Sequence, residues 1–165
     1  MLYAVPNVPM IPQDKDMACW YASAQMVIGW RRKKKGKTTM LDPSEIPVMV
    51  EMYKADNGID LESVISFGQT LGLREVPLMT PTPQAMNGWL HKYGPLWAAG
   101  LKSTKTNNYN HVVVITGIAD TGVQIQDPEP KDHGYKGWKN WDWLTTLLSE
   151  GADNGIAANF LHCPA

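Results

Sequence analysis

A histidine followed by Val-Val-Val-Ile-Thr, residues 111–116, leaves this chain little choice of local structure. β-Branched side chains are stiff about χ1 and crowd a helix, but they pack well on a pleated sheet. No polar residue alternates among Val112, Val113, Val114 and Ile115, so the run is the mark of a central strand buried on both faces. Leu96–Leu101 and Val123–Gln126 read as further strands, with hairpin-turn residues in Ile118–Gly122. Trp138–Ser149 reads as a tryptophan-rich loop leading into a short helix, and Ile156–His162 as a strand that closes the sheet. Trp138, Trp141 and Trp143 are expected in the core and along a cleft wall.

Upstream of Pro95 the period is helical, after an extended, proline-punctuated lead-in over residues 1–15. Asp16 is placed to cap a helix from about Met17 to Trp30, largely buried through Trp20, Tyr21, Ala24, Val27 and Ile28. A second helix is expected over Ser44–Lys54, confined or delayed by Pro47. In a third, Asp60 caps, Leu61, Val64, Ile65, Gly68 and Leu71 share a face, and Gly72 ends it. A short fourth, around Gln84–Tyr93, follows Pro83. Helices first and antiparallel strands second make the class α+β. The 165 residues suit one domain, 1–165, with a helical half over about 1–93 and a β half over about 94–165.

Composition sets limits. Apolar residues at 44% and charged residues at 19% exclude a disordered or fibrous chain, and 14 glycines with 12 prolines imply long loops. A net charge of -1 supplies no field that would draw the molecule to nucleic acid or membrane. No apolar run approaches the ~18–20 residues of a membrane span. The start has no basic n-region and is broken by Pro6, Pro9 and Pro12, so it is not expected to act as a signal peptide. Cytoplasmic synthesis is expected, with room for a specialised export machine that reads no cleavable signal. Arg31–Lys37 holds six of the fifteen basic residues and reads as a solvated loop, or alternatively as a docking patch for an acidic partner.

Thiol chemistry is the strongest functional signal. Cys19 near a helix N-terminus sees the positive end of the macrodipole, which favours thiolate. His111 opens the rigid strand, and Asp127 follows sixteen residues later. In a hairpin centred on Ala119 the two would face each other, so that Asp127 orients the imidazole and leaves its other nitrogen for the thiol. Asp120-Thr121-Gly122 would set the turn slightly late, and a bulge would then be needed. Gln13, six residues before Cys19, could donate its carboxamide N–H to an oxyanion, with the Cys19 backbone N–H as second donor. The other cysteine, Cys163, leaves a staple to Cys19 open. His162-Cys163 offers too few ligands for a metal site, and His91, His133 and His162 read as structural or exposed.

Gln13-Asp14-Lys15-Asp16-Met17-Ala18-Cys19-Trp20, with His111 and then Asp127-Pro128, resembles the papain-like cysteine peptidases. In that clan a glutamine stands six residues before a Cys-Trp pair, and Gly117 matches a glycine common in the histidine strand. Two bacterial branches look nearest. Small residues after Cys-Trp (Ala22, Ser23, Ala24) are shared with effector proteases, and His–apolar run–Gly…Asp-Pro with bacteriocin-processing double-glycine peptidases. Asp127 replaces the more familiar Asn, and Trp20 stands where bacteriocin-processing members carry glycine, which puts double-glycine specificity in question.

The resemblance implies a helical half packed on a partly barrel-like sheet, with a Cys19–His111–Asp127 triad in the cleft between them. Gln13 would serve the oxyanion hole, and Trp20, Trp97 and Gly100 would border substrate. The segment Gly94–Gly100 would offer backbone to an extended peptide by strand addition. It implies hydrolysis of a protein target without metal or cofactor, by a toxin or effector restrained by a cognate inhibitor. The alternatives are a thiol-type cell-wall peptidase, against which Gln13 argues, and an idle papain-like binding module.

Overall fold

The computed structural model describes residues 1–58, 64–77, 79–103, 105–106, 108–153 and 160–165. The β-branched run lies inside β4 (Asn108–Ala119), and the sheet is built outward from it. β3 (Leu96–Ser103) pairs antiparallel along one edge, from Leu96↔Ile115 to Ser103↔Asn108. β5 (Gly122–Asp127) takes the other edge, and β6 (Tyr135–Asn140) pairs with β5. Beyond β3 come β7 (Phe160–His162) and β2 (Arg74–Glu75), while β1 (Leu2–Ala4) pairs with Gly117–Ala119 of β4. Among the described residues these seven strands form one antiparallel sheet, in the order β2-β7-β3-β4-β5-β6, with β1 on β4.

Alternation along β3 and β4 divides the core. Trp97, Ala99, Val112 and Val114 pack against α1 (Cys19–Lys34), with α2 (Pro47–Lys54) contributing Met49. Leu96, Ala98, Val113 and Ile115 pack on α4 (Pro83–Tyr93) and α5 (Trp141–Asp153), together with Val123 and Ile125 of β5. Burying one Val, Leu or Ile contributes roughly 1.5–3 kcal/mol relative to exposure, so β4 is held from both sides. Helices therefore cover both faces of the sheet. Along the chain β1 precedes all the helices, and α5 lies between β6 and β7.

Several boundaries move for local reasons. The first helix starts at Cys19, with Ala18 as its N-cap and no side-chain cap. Asp16 does not cap it: its carbonyl accepts from Gln13 Nε2, and its carboxylate lies 3.7 Å from Lys131 Nζ. The basic run is the last turn of α1 as far as Lys34, not a loop, and its cations offset the dipole there. Within it Arg32 pairs with Glu45 at 2.6 Å, and Arg31 donates to the carbonyls of Cys163 and Tyr93.

Pro47 opens α2 after a 3-10 turn, Pro43–Glu45. For α3 (Val64–Thr70), the expected cap Asp60 and the expected face residue Leu61 lie outside the described residues, as do residues 156–159 of the expected last strand. α4 ends at Gly94, whose φ of +82° suits glycine and where a Cβ would lie 2.3 Å from the Trp30 ring. Tyr135–Asn140 is an edge strand rather than a loop; its lysines keep it polar, and Trp138 is 45% exposed, outside the core. Trp141 and Trp143 are half-buried against the α5 face of the core.

Candidate active site

The β4–β5 hairpin decides where Asp127 points. Its turn lies between Ala119 and Gly122, centred between Asp120 and Thr121 and so one and a half positions later than a hairpin centred on Ala119. The pairs Ile118↔Val123 and Gly117↔Gln124 are followed by Ile115↔Ile125 and Val114↔Gln126, so Thr116 is an extra residue in β4. Continued, this register sets Asp127 opposite Val113, diagonal to His111 and on its face. Without the bulge Asp127 would sit opposite Val114 and point away, since a one-residue slip reverses every side chain. The late turn and the bulge compensate each other, and direct opposition becomes a diagonal contact. Asp127 Oδ1 lies 2.7 Å from His111 Nε2. It also accepts the Glu129 N–H at 2.9 Å, and its Oδ2 pairs with Lys102 Nζ at 3.1 Å.

The nucleophile arrives by way of the N-terminal lead-in. Val5 N–H donates to Thr116 O at the bulge, and Gln126 Nε2 donates to Pro9 O. Gln13 then bridges to the loop after Asp127: its N–H donates to Pro128 O, and its carbonyl accepts from Asp132 N–H. This ties the segment before Cys19 to the segment that carries the carboxylates. Asp56 accepts from Met17 N–H, and Trp97 Nε1 donates to Trp20 O at 3.1 Å, locking the first turn of α1 onto β3. Cys19 is the first helical residue, 6% exposed and a free thiol, as is Cys163. No staple joins them.

His111 is fully buried, and burial alone would push its pKa down. Its interactions with Asp127, Cys19 and Glu129 outweigh burial and hold the imidazole well above the usual histidine value. Burial likewise pushes the Asp127 carboxyl up, but His111, Lys102 and the Glu129 N–H bring it below its ordinary value. Nδ1 of His111 has no aligned hydrogen-bond partner among the described residues, although Glu129 Oε1 stands 2.9 Å away, off the N–H axis. The ring is thus anchored at Nε2 by Asp127, with the Glu129 carboxylate beside Nδ1.

Cys19, His111 and Asp127 are therefore brought together from segments far apart in the chain. Gln13 joins them with its amide turned differently from expectation. Both Nε2 hydrogens are engaged by Lys15 O at 2.9 Å and Asp16 O at 2.8 Å, and the buried Oε1 has no hydrogen-bond partner among the described residues. In this arrangement Gln13 shapes the loop leading to Cys19 and presents no free donor.

Trp20, in the first turn of α1, and Trp97, in β3, are wholly buried and present no surface to a ligand in this arrangement. Gly100 faces Leu147 of α5, whose side chain a Cβ would meet at 2.5 Å, so it offers no open surface either. The open space is elsewhere: a recess of about 400 Å³ bordered by Lys102, Asp127, Glu129, Tyr135, Lys139 and Trp143.

Glu129 was not evident from the sequence. Pairing about Ala119 selects residue 127 as the partner of His111, whereas the register beyond the bulge, continued, selects residue 129; the later turn and the bulge together separate the two. Among the described residues, no group of three or more His, Cys, Asp or Glu side chains could hold a metal ion. No described helix is long and apolar enough to cross a membrane. Residues 3–147 match the sequence model of the family described as papain-like cysteine protease AvrRpt2. No curated protein sequence matches the chain at a significant level.

Proposed function

The chain belongs to the family of the papain-like cysteine protease AvrRpt2, and from that premise we propose that it hydrolyses peptide bonds in a protein target through Cys19, His111 and Asp127. The observation that carries this reading is the buried imidazole held at Nε2 by Asp127 and kept protonated by its interactions with Asp127, Cys19 and Glu129. A substrate carbonyl is attacked by the Cys19 sulfur, and the electron pair moves onto the carbonyl oxygen. Backbone N–H groups of the uncapped first turn of α1 are the nearest donors for that oxyanion. Gln13 becomes a further donor when one of its N–H bonds turns from a loop carbonyl toward the oxyanion. As the C–N bond breaks, His111 passes its Nδ1 proton to the leaving amine, and a thioester remains on Cys19. Water then gives a proton to His111 and attacks the thioester; the acid departs and the thiol is restored. Asp127 keeps the ring oriented and supports its positive form in both steps.

The recess beside Asp127 and Glu129 is the natural place for substrate next to the scissile bond, with Tyr135 and Trp143 as walls. By family resemblance the enzyme acts as a bacterial effector, delivered into a target cell and restrained by a cognate inhibitor. The test is a proteome-wide search for new N-termini made by the wild type and absent with Cys19→Ala. Identical cleavage maps from the two proteins refute proteolysis. Prompt, stoichiometric alkylation of Cys19 by iodoacetamide at about pH 6, below the ~8.5 of a free thiol, is expected and should be lost in His111→Ala. Sluggish labelling insensitive to His111 would point instead to an idle binding module.

A further inference from the structure

Glu129 has no part in the mechanism above, yet its carboxylate is held against the catalytic ring. Its Oε1 lies 2.9 Å from His111 Nδ1. Its Oε2 accepts from Tyr109 OH at 2.9 Å and lies 3.6 Å from Lys102 Nζ, so two elements fix the group from behind. Tyr109 also meets the His111 ring edge-on, with 5.8 Å between centroids. The imidazole therefore has a carboxylate at each nitrogen.

Building on the reading of His111 as acid and base, we infer that Glu129 is a positioning residue that holds His111 in its protonated form and sets the pH at which the ring gives up its proton. The charged and titratable groups facing the ring are Asp127, Glu129 and Cys19, with Lys102 behind both carboxylates and Tyr109 at the ring edge. Asp127 is buried, and removing it breaks a buried ion pair as well as changing the charge. Glu129 is different: its side chain is 26% exposed and its contact with Nδ1 is unaligned. The contact can yield when a leaving nitrogen needs the Nδ1 proton and re-form once the amine has gone. The titration directions agree. Burial pushes Glu129 up, but His111 first, then Lys102 and Tyr109, hold it below the ordinary glutamate value.

Glu129→Gln keeps the shape and removes the charge. With an opposite charge lost from a partly exposed site, the titration midpoint of His111 should fall by about one unit. The midpoint is read by NMR on imidazole-labelled protein in a Cys19→Ala background, where no cleavage is required. In the active enzyme the alkaline limb of kcat/KM should retreat by the same interval. Tyr109→Phe, which loosens Glu129 without touching the ring nitrogen, should shift the midpoint in the same direction by less. Glu129→Asp should restore part of the Glu129→Gln shift. A midpoint that stays put in both Glu129→Gln and Tyr109→Phe overturns the inference, as does a uniform loss of turnover with an unmoved limb. An inactive wild type would refute the protease reading and leave the NMR test standing.

Discussion

Two cysteine–histidine pairs occur in this chain, and their surroundings differ in sign. Cys19 and His111 are 92 positions apart and meet among Asp127 and Glu129, which keep the imidazole protonated. His162 and Cys163 are adjacent in sequence and sit near cations. Burial first, and then Arg31, Arg74 and Lys92, hold His162 below the usual histidine value. Burial raises the Cys163 thiol above its ordinary value, although Arg31, Lys35 and Arg32 pull the other way. His162 stacks on Tyr93, with 4.2 Å between centroids, and the Cys163 carbonyl receives the Arg31 fork. The first pair sets a charged imidazole beside its cysteine; the second lies in a seam between α1, α4 and β7. Neighbouring charge, more than proximity along the chain, separates the two pairs.

Replacing either partner of the first pair should give the largest effect. Cys19→Ala or His111→Ala is expected to lower turnover by about 10⁴-fold or more. If peptide cleavage survives His111→Ala within tenfold (about 1.4 kcal/mol), the contrast fails. Asp127→Asn comes next, with turnover reduced about 10²–10⁴-fold. That substitution also yields a signed stability test.

Because the folded-state pKa of His111 is raised, its stabilising contribution is complete below the unfolded value of ~6.5 and is lost as pH rises through the folded value. Urea denaturation should therefore show Asp127→Asn less stable than wild type by about 1.5–3 kcal/mol near pH ~6. The gap should narrow as pH rises, and a gap that widens would contradict the assignment. At the acid end the sign reverses. Asp127 is lowered, so its share is present above ~3.9 and lost as pH falls through its folded value.

Gln13→Ala should cost about 10²–10³-fold if one N–H turns to the oxyanion, with kcat falling and KM little changed. Loss of its two loop hydrogen bonds alone would show as a lower melting temperature, worth about 0.5–1.5 kcal/mol per bond, with kcat nearly intact. The smallest effects belong to the second pair. Cys163→Ser and His162→Ala should leave cleavage within about twofold, and NMR should place the His162 midpoint below ~6.5 and that of His111 above it.

Much of this was legible in the chain itself. The residue 111–116 run had to be a buried central strand, and Pro83 and Pro47 marked helix starts that the structure keeps. The segments bearing Cys19, His111 and Asp127 could be named from side-chain chemistry and spacing; Cys19 opens α1, Asp127 ends β5 and His111 opens the buried run of β4. Tyr135–Asn140 was harder: an edge strand flanked by lysines lacks the apolar alternation that announces a half-buried strand. The length of α1 was also hidden, because a cationic tail reads as loop until the helix dipole it offsets is known.

Periodicity and residue chemistry are local, and they determined the element types and the set of groups able to perform thiol chemistry. Packing alone decided the rest: the extra residue at Thr116 that turns Asp127 to the side of His111, the seat of Glu129 at the second ring nitrogen, and the turning of the Gln13 amide onto Lys15 and Asp16. A strand reverses faces with each residue, so one insertion inverts every contact beyond it. The charge that sets a side chain's protonation comes from whichever distant segments the core brings against it.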